Sequence, residues 1–125
     1  LDRRSFERYL DVRAKQGFNL VLADALGLAV NEGGPAFADY GRETLNPGYW
    51  QEVERRVREM NRRGIVAFIA LAAAAPRAAL ANDKSWADFG SHDARLRYAK
   101  HVLARLGVYN VAFALAREWS GNDAQ

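Results

Sequence analysis

The chain contains no cysteine, which excludes a disulfide framework and any thiolate metal site. Its only two histidines are His92 and His101. They do not have the i, i+4 spacing of a helical zinc pair, and they read as exposed or partly buried helix residues with no metal site between them. The longest apolar run, Ile65 to Pro76, falls short of the roughly 20 residues of a membrane-spanning helix, so no membrane partner is expected. The opening Leu1-Asp2-Arg3-Arg4 has no apolar signal core, which says nothing of any leader upstream. Phosphate signatures are missing as well. There is no G-x-G-x-x-G and no G-x-x-x-x-G-K-[ST], and Gly27, Gly33 and Gly34 fall at the wrong spacing for either. No G-x-S-x-G nucleophile elbow occurs.

Charge of one sign is also lacking. The balance is 18 basic against 15 acidic residues, a net +3. The densest cluster, Glu52 to Arg63, sets Glu52 against Arg56, Glu54 against Arg58 and Glu59 against Arg63. A glutamate four residues before an arginine is the favourable order on a helix. The cluster therefore predicts a solvated helix face rather than a nucleic-acid surface.

What is present is a chain of 125 residues, half of them apolar. That is ordinary globular composition, with length for one domain of modest core. One pattern recurs three times: an amphipathic helix closes on a polar residue and a glycine, and an apolar run follows. The glycines are Gly17, Gly64 and Gly107. Each suits the left-handed position after a helix end, with cationic side chains in the last turn. The stripes Phe6-Leu10-Ala14, Trp50-Val53-Val57-Met60 and Ala94-Tyr98-Val102-Leu106 have helical spacing. Pro47 marks the start of the second helix, and Ser91 is the expected N-cap of the third.

The runs near 18–23, 65–72 and 109–116 are continuously apolar, which predicts parallel strands buried on both faces. Helix-to-strand links of one or two residues are expected, with much longer loops at the strands' carboxyl ends, the face where α/β folds bind ligands. The expected fold is α/β, in the order α-β-α-β-α-β. Three parallel strands alone leave two open edges. The chain therefore reads as a partial (β/α)8 barrel, since a whole one takes about 250 residues. The alternative is a small three-layer domain that covers its edges by self-association.

One carboxylate stands out. Asn110 to Ala116 is the third run, and Arg117-Glu118-Trp119-Ser120-Gly121 follows directly. A glutamate just past a buried parallel strand sits where barrel enzymes carry their chemistry, and low-dielectric surroundings raise a carboxyl toward the range of a general acid. Trp119 is positioned to stack on a sugar ring. Asp24, at the end of the first run, and Asn31 and Glu32 in the loop beyond are further candidates on the same face. They also read as turn residues. Tyr40 and Trp86 are loop aromatics, either sugar platforms or plugs.

Arg8 to Asn19 (RYLDVRAKQGFN), Asn31 to Phe37 (NEGGPAF), Leu45 to Trp50 (LNPGYW), Arg63-Gly64-Ile65, Tyr98 to Leu106 (YAKHVLARL) and the strand into Arg117-Glu118-Trp119-Ser120-Gly121 together resemble the apiosidase-like glycoside hydrolases. The resemblance implies a (β/α)8 barrel, of which this chain spans about strands two to four. It also implies a carbohydrate substrate, no cofactor and a secreted or periplasmic setting. The acidic residue ending the family's fourth strand, the acid/base, maps to Glu118. The nucleophile comes from a later strand. The rival expectation is a non-catalytic assembly module derived from a barrel segment, which Arg117 and the alanine run Ala72 to Ala75 favour.

Overall fold

The computed structural model describes residues 2–26, 30–73 and 85–117. Among these residues nine elements follow one another: α1 (Arg3–Lys15), β1 (Leu20–Asp24), β2 (Val30–Asn31), β3 (Gly34–Pro35), α2 (Pro47–Arg62), β4 (Val66–Ala73), a 3-10 turn (Trp86–Asp88), α3 (His92–Leu106) and β5 (Val111–Arg117). Strands β1, β4 and β5 form one parallel sheet in that order, and β2 and β3 make a short hairpin. The α/β class and the three parallel strands agree with the sequence.

The helices start where capping chemistry puts them. Asp2 accepts from the Ser5 amide, Asn46 from Gly48 and Ser91 from Ala94, each side chain satisfying an amide the first turn leaves unpaired. Pro47 occupies the first turn of α2. Their ends explain why every strand lies one or two residues downstream of its expected position. After α1, Gly17 N–H donates to Ala14 O and Phe18 N–H to Arg13 O. After α2, Gly64 donates to Asn61 O and Ile65 to Met60 O. Both are double-bonded helix closures around a left-handed glycine, φ 81° at Gly17 and 71° at Gly64. Those closures consume residues the sequence assigned to strands or to one- and two-residue links. The links are in fact 16–19, 63–65 and 107–110. Gly107 departs from expectation: its φ is −64°, and glycine is needed for room, because a Cβ there would lie 2.6 Å from Leu103 O.

All three stripes face inward. Phe6, Leu10, Trp50, Val57, Met60, Ala94, Tyr98, Val102 and Leu106 are buried in one core with Ile65, Ala67, Ile69 and Leu71 of the β4 region. Side chains alternate across a strand, and the register assigns each side. Val21 and Ala23 pair with Ala67 and Ile69, and Val111 and Phe113 flank the same two residues; all pack against the helix layer. Leu20 and Leu22 pair with Val66 and Phe68 on the opposite side and are 47% and 52% exposed. Burial on both faces therefore does not hold at the edge strand β1. The described helices form a single layer on one face; on the other, Leu20 and Leu22 are open while Ala70 and Ala72 of β4 are buried. Asn61 ties the sheet's starting end together: its Nδ2 donates to Ile65 O and Asn110 O, and its Oδ1 accepts from Asn110 N.

Tyr98 couples the two layers. Its buried hydroxyl donates to Leu71 O, and burial raises its pKa well above the ordinary tyrosine value, so it stays a neutral donor. Tyr98→Phe should cost roughly 1–3 kcal/mol, the range for leaving a buried acceptor unpaired. Urea denaturation checks this as a lower midpoint with an unchanged slope. A midpoint equal to wild type would show that this bond does not hold the layers.

Candidate functional site

Because the three strands are parallel, they end on one edge, at Asp24, Ala73 and Arg117. A carbonyl near each end takes a side-chain donor. Tyr49 Oη donates to Ala25 O at 2.9 Å, Tyr98 to Leu71 O, and Trp86 Nε1 to Leu115 O at 2.8 Å. The three donors touch through their rings: Tyr49 meets Trp50, Trp50 meets Tyr98, and Tyr98 meets Trp86 and Phe89. Trp86, read from sequence as either platform or plug, thus ties the edge of β5. Tyr40 differs: its side chain stands fully in water.

The loop after β1 is built more tightly than its composition suggested. Asn31 Oδ1 accepts from Gly33 N at 2.7 Å, and its Nδ2 donates to Tyr49 O at 3.0 Å. Asn46 Nδ2 donates to Gly33 O and Pro35 O. Gly33 lies so close to Gly48 that a Cβ would fall 1.9 Å from its carbonyl oxygen, so only glycine lets the hairpin sit on the start of α2. The Asn31 carboxamide is occupied at both ends.

Glu32, at the hairpin tip, accepts from Arg56 at 2.9 Å, and Arg56 reaches on to Glu52 at 3.1 Å while lying over the Phe6 ring. Glu52 is buried beneath Arg3, Arg55 and Arg56. Two of the expected helix pairs form, Glu52 with Arg56 and Glu59 with Arg63. Glu54 instead meets Tyr109 and Arg105 from distant segments. The cluster is therefore not simply a solvated face, since one of its carboxylates lies in the core. Desolvation pushes Glu52 upward, but hydrogen bonds from Arg55, Arg56 and Arg3 outweigh it and hold its pKa at about 2. Glu32 is lowered as well: burial raises it, and its own backbone amide and Arg56 overcome that. Carboxylates held ionised in this way are poor proton donors at neutral pH, so neither suits a general acid.

A cavity of about 500 Å³ opens between α1, α2 and β1. Phe6, Tyr49, Val53, Val57, Met60 and Ile69 line its apolar part, and Asp24, Asn31, Glu32, Arg56 and Asp2 its polar part. The fold thus brings Asp24, Asn31 and Glu32 together, as their shared face suggested. Sequence reading missed Arg56 and Tyr49. The four-residue offset of Arg56 from Glu52 was a usable signal, but nothing local marked either residue as a cavity wall. Glu118 and Trp119 lie outside the described residues. The described strand leading to them ends at Arg117, three register steps beyond Asp24 and two strands across. With strands about 4.8 Å apart and about 3.3 Å per residue, the two backbones are roughly 14 Å apart. His92 is exposed and His101 half-buried, edge-on to Trp50; desolvation, then Arg105, lowers the His101 pKa. Among the described residues, no cluster of three His, Asp or Glu is placed to hold a metal ion.

A family model described as "Apiosidase-like, catalytic domain" matches residues 1–123. The chain belongs to the apiosidase-like family. No match emerged among curated proteins. Membership makes the chain glycoside-hydrolase-like, with carbohydrate as the implied substrate class. No described helix is long and apolar enough to cross a membrane.

The Glu52 cluster makes a pH prediction. Its folded pKa of about 2 lies below the ordinary 4.5. Its stabilisation is therefore full above about 4.5 and is lost as pH falls toward about 2. Glu52→Gln should be less stable than wild type at pH 7, with the gap closing across that window in urea titrations at pH 7, 4 and 3. A gap independent of pH would mean that the ionised carboxylate is not the source.

Proposed function

We propose that the chain is a segment of a (β/α)8-barrel glycoside hydrolase in which Glu118 is the acid/base residue. The observation that carries this reading is the combination of the family match with a parallel strand, β5, whose last described residue, Arg117, directly precedes Glu118 at the sheet's carboxyl edge. The barrel part rests on the strand order. Strands β1, β4 and β5 add successively in one direction with no reversal, and the helices cover one face only. Right-handed crossovers without a reversal give that one-sided layer, whereas a doubly wound sheet reverses and carries helices on both faces. The apolar residues left open, Leu20 and Leu22 inside and Leu96 and Leu103 on α3, are what further barrel units cover.

In this reading Glu118 protonates the glycosidic oxygen as the bond to the anomeric carbon breaks, then removes a proton from water in the second step. Trp119 stacks on the sugar. Asp24 contacts it from the rim, and Asn31 does so through the turn it fixes. A retaining pair needs carboxyl groups about 5–5.5 Å apart. Asp24 stands too far along the rim for that role, which leaves the nucleophile to a further strand. The second reading, a non-catalytic assembly module, is favoured by the outer edges of β1 and β5, which pair with no other described strand and which a second copy would cover.

Glu118→Gln in the full-length protein should lower kcat/KM, which reports the bond-breaking step, by at least about 100-fold for substrates with poor leaving groups, the usual scale of general-acid catalysis. The loss should be much smaller for 4-nitrophenyl glycosides, whose departure needs little protonation. Equal losses on both substrates, or none, would remove Glu118 from this role, and an inactive wild type that self-associates would favour the module.

A further inference from the structure

The turn between β3 and α2 carries one tyrosine that the hydrolase reading leaves unused. Tyr40 is 105% exposed, yet the turn around it is braced on every side. Asp39 Oδ1 accepts from Thr44 N at 2.7 Å and its Oδ2 from Glu43 N at 3.0 Å, and Ala38 N donates to Thr44 O. Arg42 is the one described non-glycine residue with positive φ, 57°, a conformation a non-glycine residue keeps only when its surroundings enforce it. Its guanidinium lies 5.0 Å from the Phe89 ring centroid and 5.8 Å from that of Phe37, pairs with Asp88 at 3.2 Å and donates to Ser85 O. Gly41 O accepts from Gly90 N. The turn is thereby fixed to the Ser85–Phe89 segment, which Trp86 fixes to the end of β5.

We propose that Tyr40 is a stacking platform for a sugar ring distant from the scissile bond, which makes the substrate an oligo- or polysaccharide rather than a simple glycoside. The proposal deepens the glycoside-hydrolase reading and rests on it. Single exposed apolar side chains are commonplace; what distinguishes this one is that its backbone is held by ionic and ring contacts while the ring itself is left in water. The electron-rich face of a tyrosine attracts the C–H face of a pyranose or furanose. A ring with two torsions on a fixed turn loses little entropy when a sugar settles on it. Glu43, in the same turn, accepts from Ser91 and pairs with Arg97, which ties the turn to the start of α3 as well.

The test is native gel electrophoresis of the full-length protein through gels containing xylan, β-glucan, mannan or pectin, comparing wild type, Tyr40→Ala and Tyr40→Trp. At least one polysaccharide should retard wild type, Tyr40→Ala should weaken that retention roughly three- to ten-fold, and Tyr40→Trp should keep it. For a retained polysaccharide that is also cleaved, Tyr40→Ala should raise KM by the same factor with kcat unchanged, and it should leave 4-nitrophenyl glycoside hydrolysis as in wild type. Equal retention of wild type and Tyr40→Ala, or no retention of wild type in any gel, overturns the proposal. Retention that depends on Tyr40 without any hydrolysis would leave the platform standing and sink the assignment of Glu118, so the two readings fail separately.

Discussion

The arrangement rests on three hydrogen bonds at one edge of the sheet. Tyr49, Tyr98 and Trp86, from α2, α3 and the 3-10 turn, donate to the carbonyls of Ala25, Leu71 and Leu115 near the ends of β1, β4 and β5. The β4–β5 register passes from Ala70–Ala114 to Ala72–Ala116, and the carbonyls of the intervening Leu71 and Leu115 are among the three that take aromatic donors. Each bond contributes only about 1 kcal/mol net, while a buried acceptor left unpaired costs more. The rings that carry the donors also pack against one another, so helix position, strand end and loop position are set together. A rim fixed in this way lets the residues beyond it be chosen for chemistry rather than for stability.

Charge is divided along the same line. On the helix side, Glu52 sits under three arginines and links α1, α2 and, through Arg56 and Glu32, the hairpin after β1. These carboxylates are held ionised, which suits structure and excludes proton donation. An acid/base residue needs the opposite setting, a carboxyl whose neutral form is favoured. The proposed acid/base, Glu118, follows a strand that runs apolar up to Arg117, away from that arginine cluster. Asp24 stands at the same rim, on the side of the sheet shared by Leu20 and Leu22, and borders the cavity; in the proposed reading it contacts substrate and does not cleave the bond.

Much of the fold was legible because its signals are local. Helical spacing exposed all three stripes, Ser91 and Pro47 marked helix starts, and Gly17 and Gly64 marked ends that the left-handed angles bear out. Strand edges were misplaced because the helix closures draw on residues such as Phe18 and Ile65, which look apolar enough to begin a strand. Gly107 looked like its two counterparts, but it is there for lack of space rather than for backbone freedom. Long-range choices were illegible. Nothing near Glu54 announces Tyr109 or Arg105, and the i, i+4 count that paired Glu52 with Arg56 could not show that Arg3 and Arg55 would bury it. At the site, Asp24, Asn31 and Glu32 were legible as one face because they follow a strand end. That Asn31 spends its amide on the turn required the fold.

The central claim is that Glu118 acts as acid/base in a retaining apiosidase-like hydrolase, and azide rescue of Glu118→Ala in the full-length protein tests it most directly. Removing the carboxylate leaves the second step without its base and opens space beside the anomeric carbon; azide, an anion that needs no deprotonation, can then attack the glycosyl-enzyme. The account predicts that azide restores turnover of a 4-nitrophenyl glycoside and yields the glycosyl azide of retained configuration. Failure of azide to change the rate of a slowed, correctly folded Glu118→Ala protein, or a glycosyl azide of inverted configuration, would contradict it.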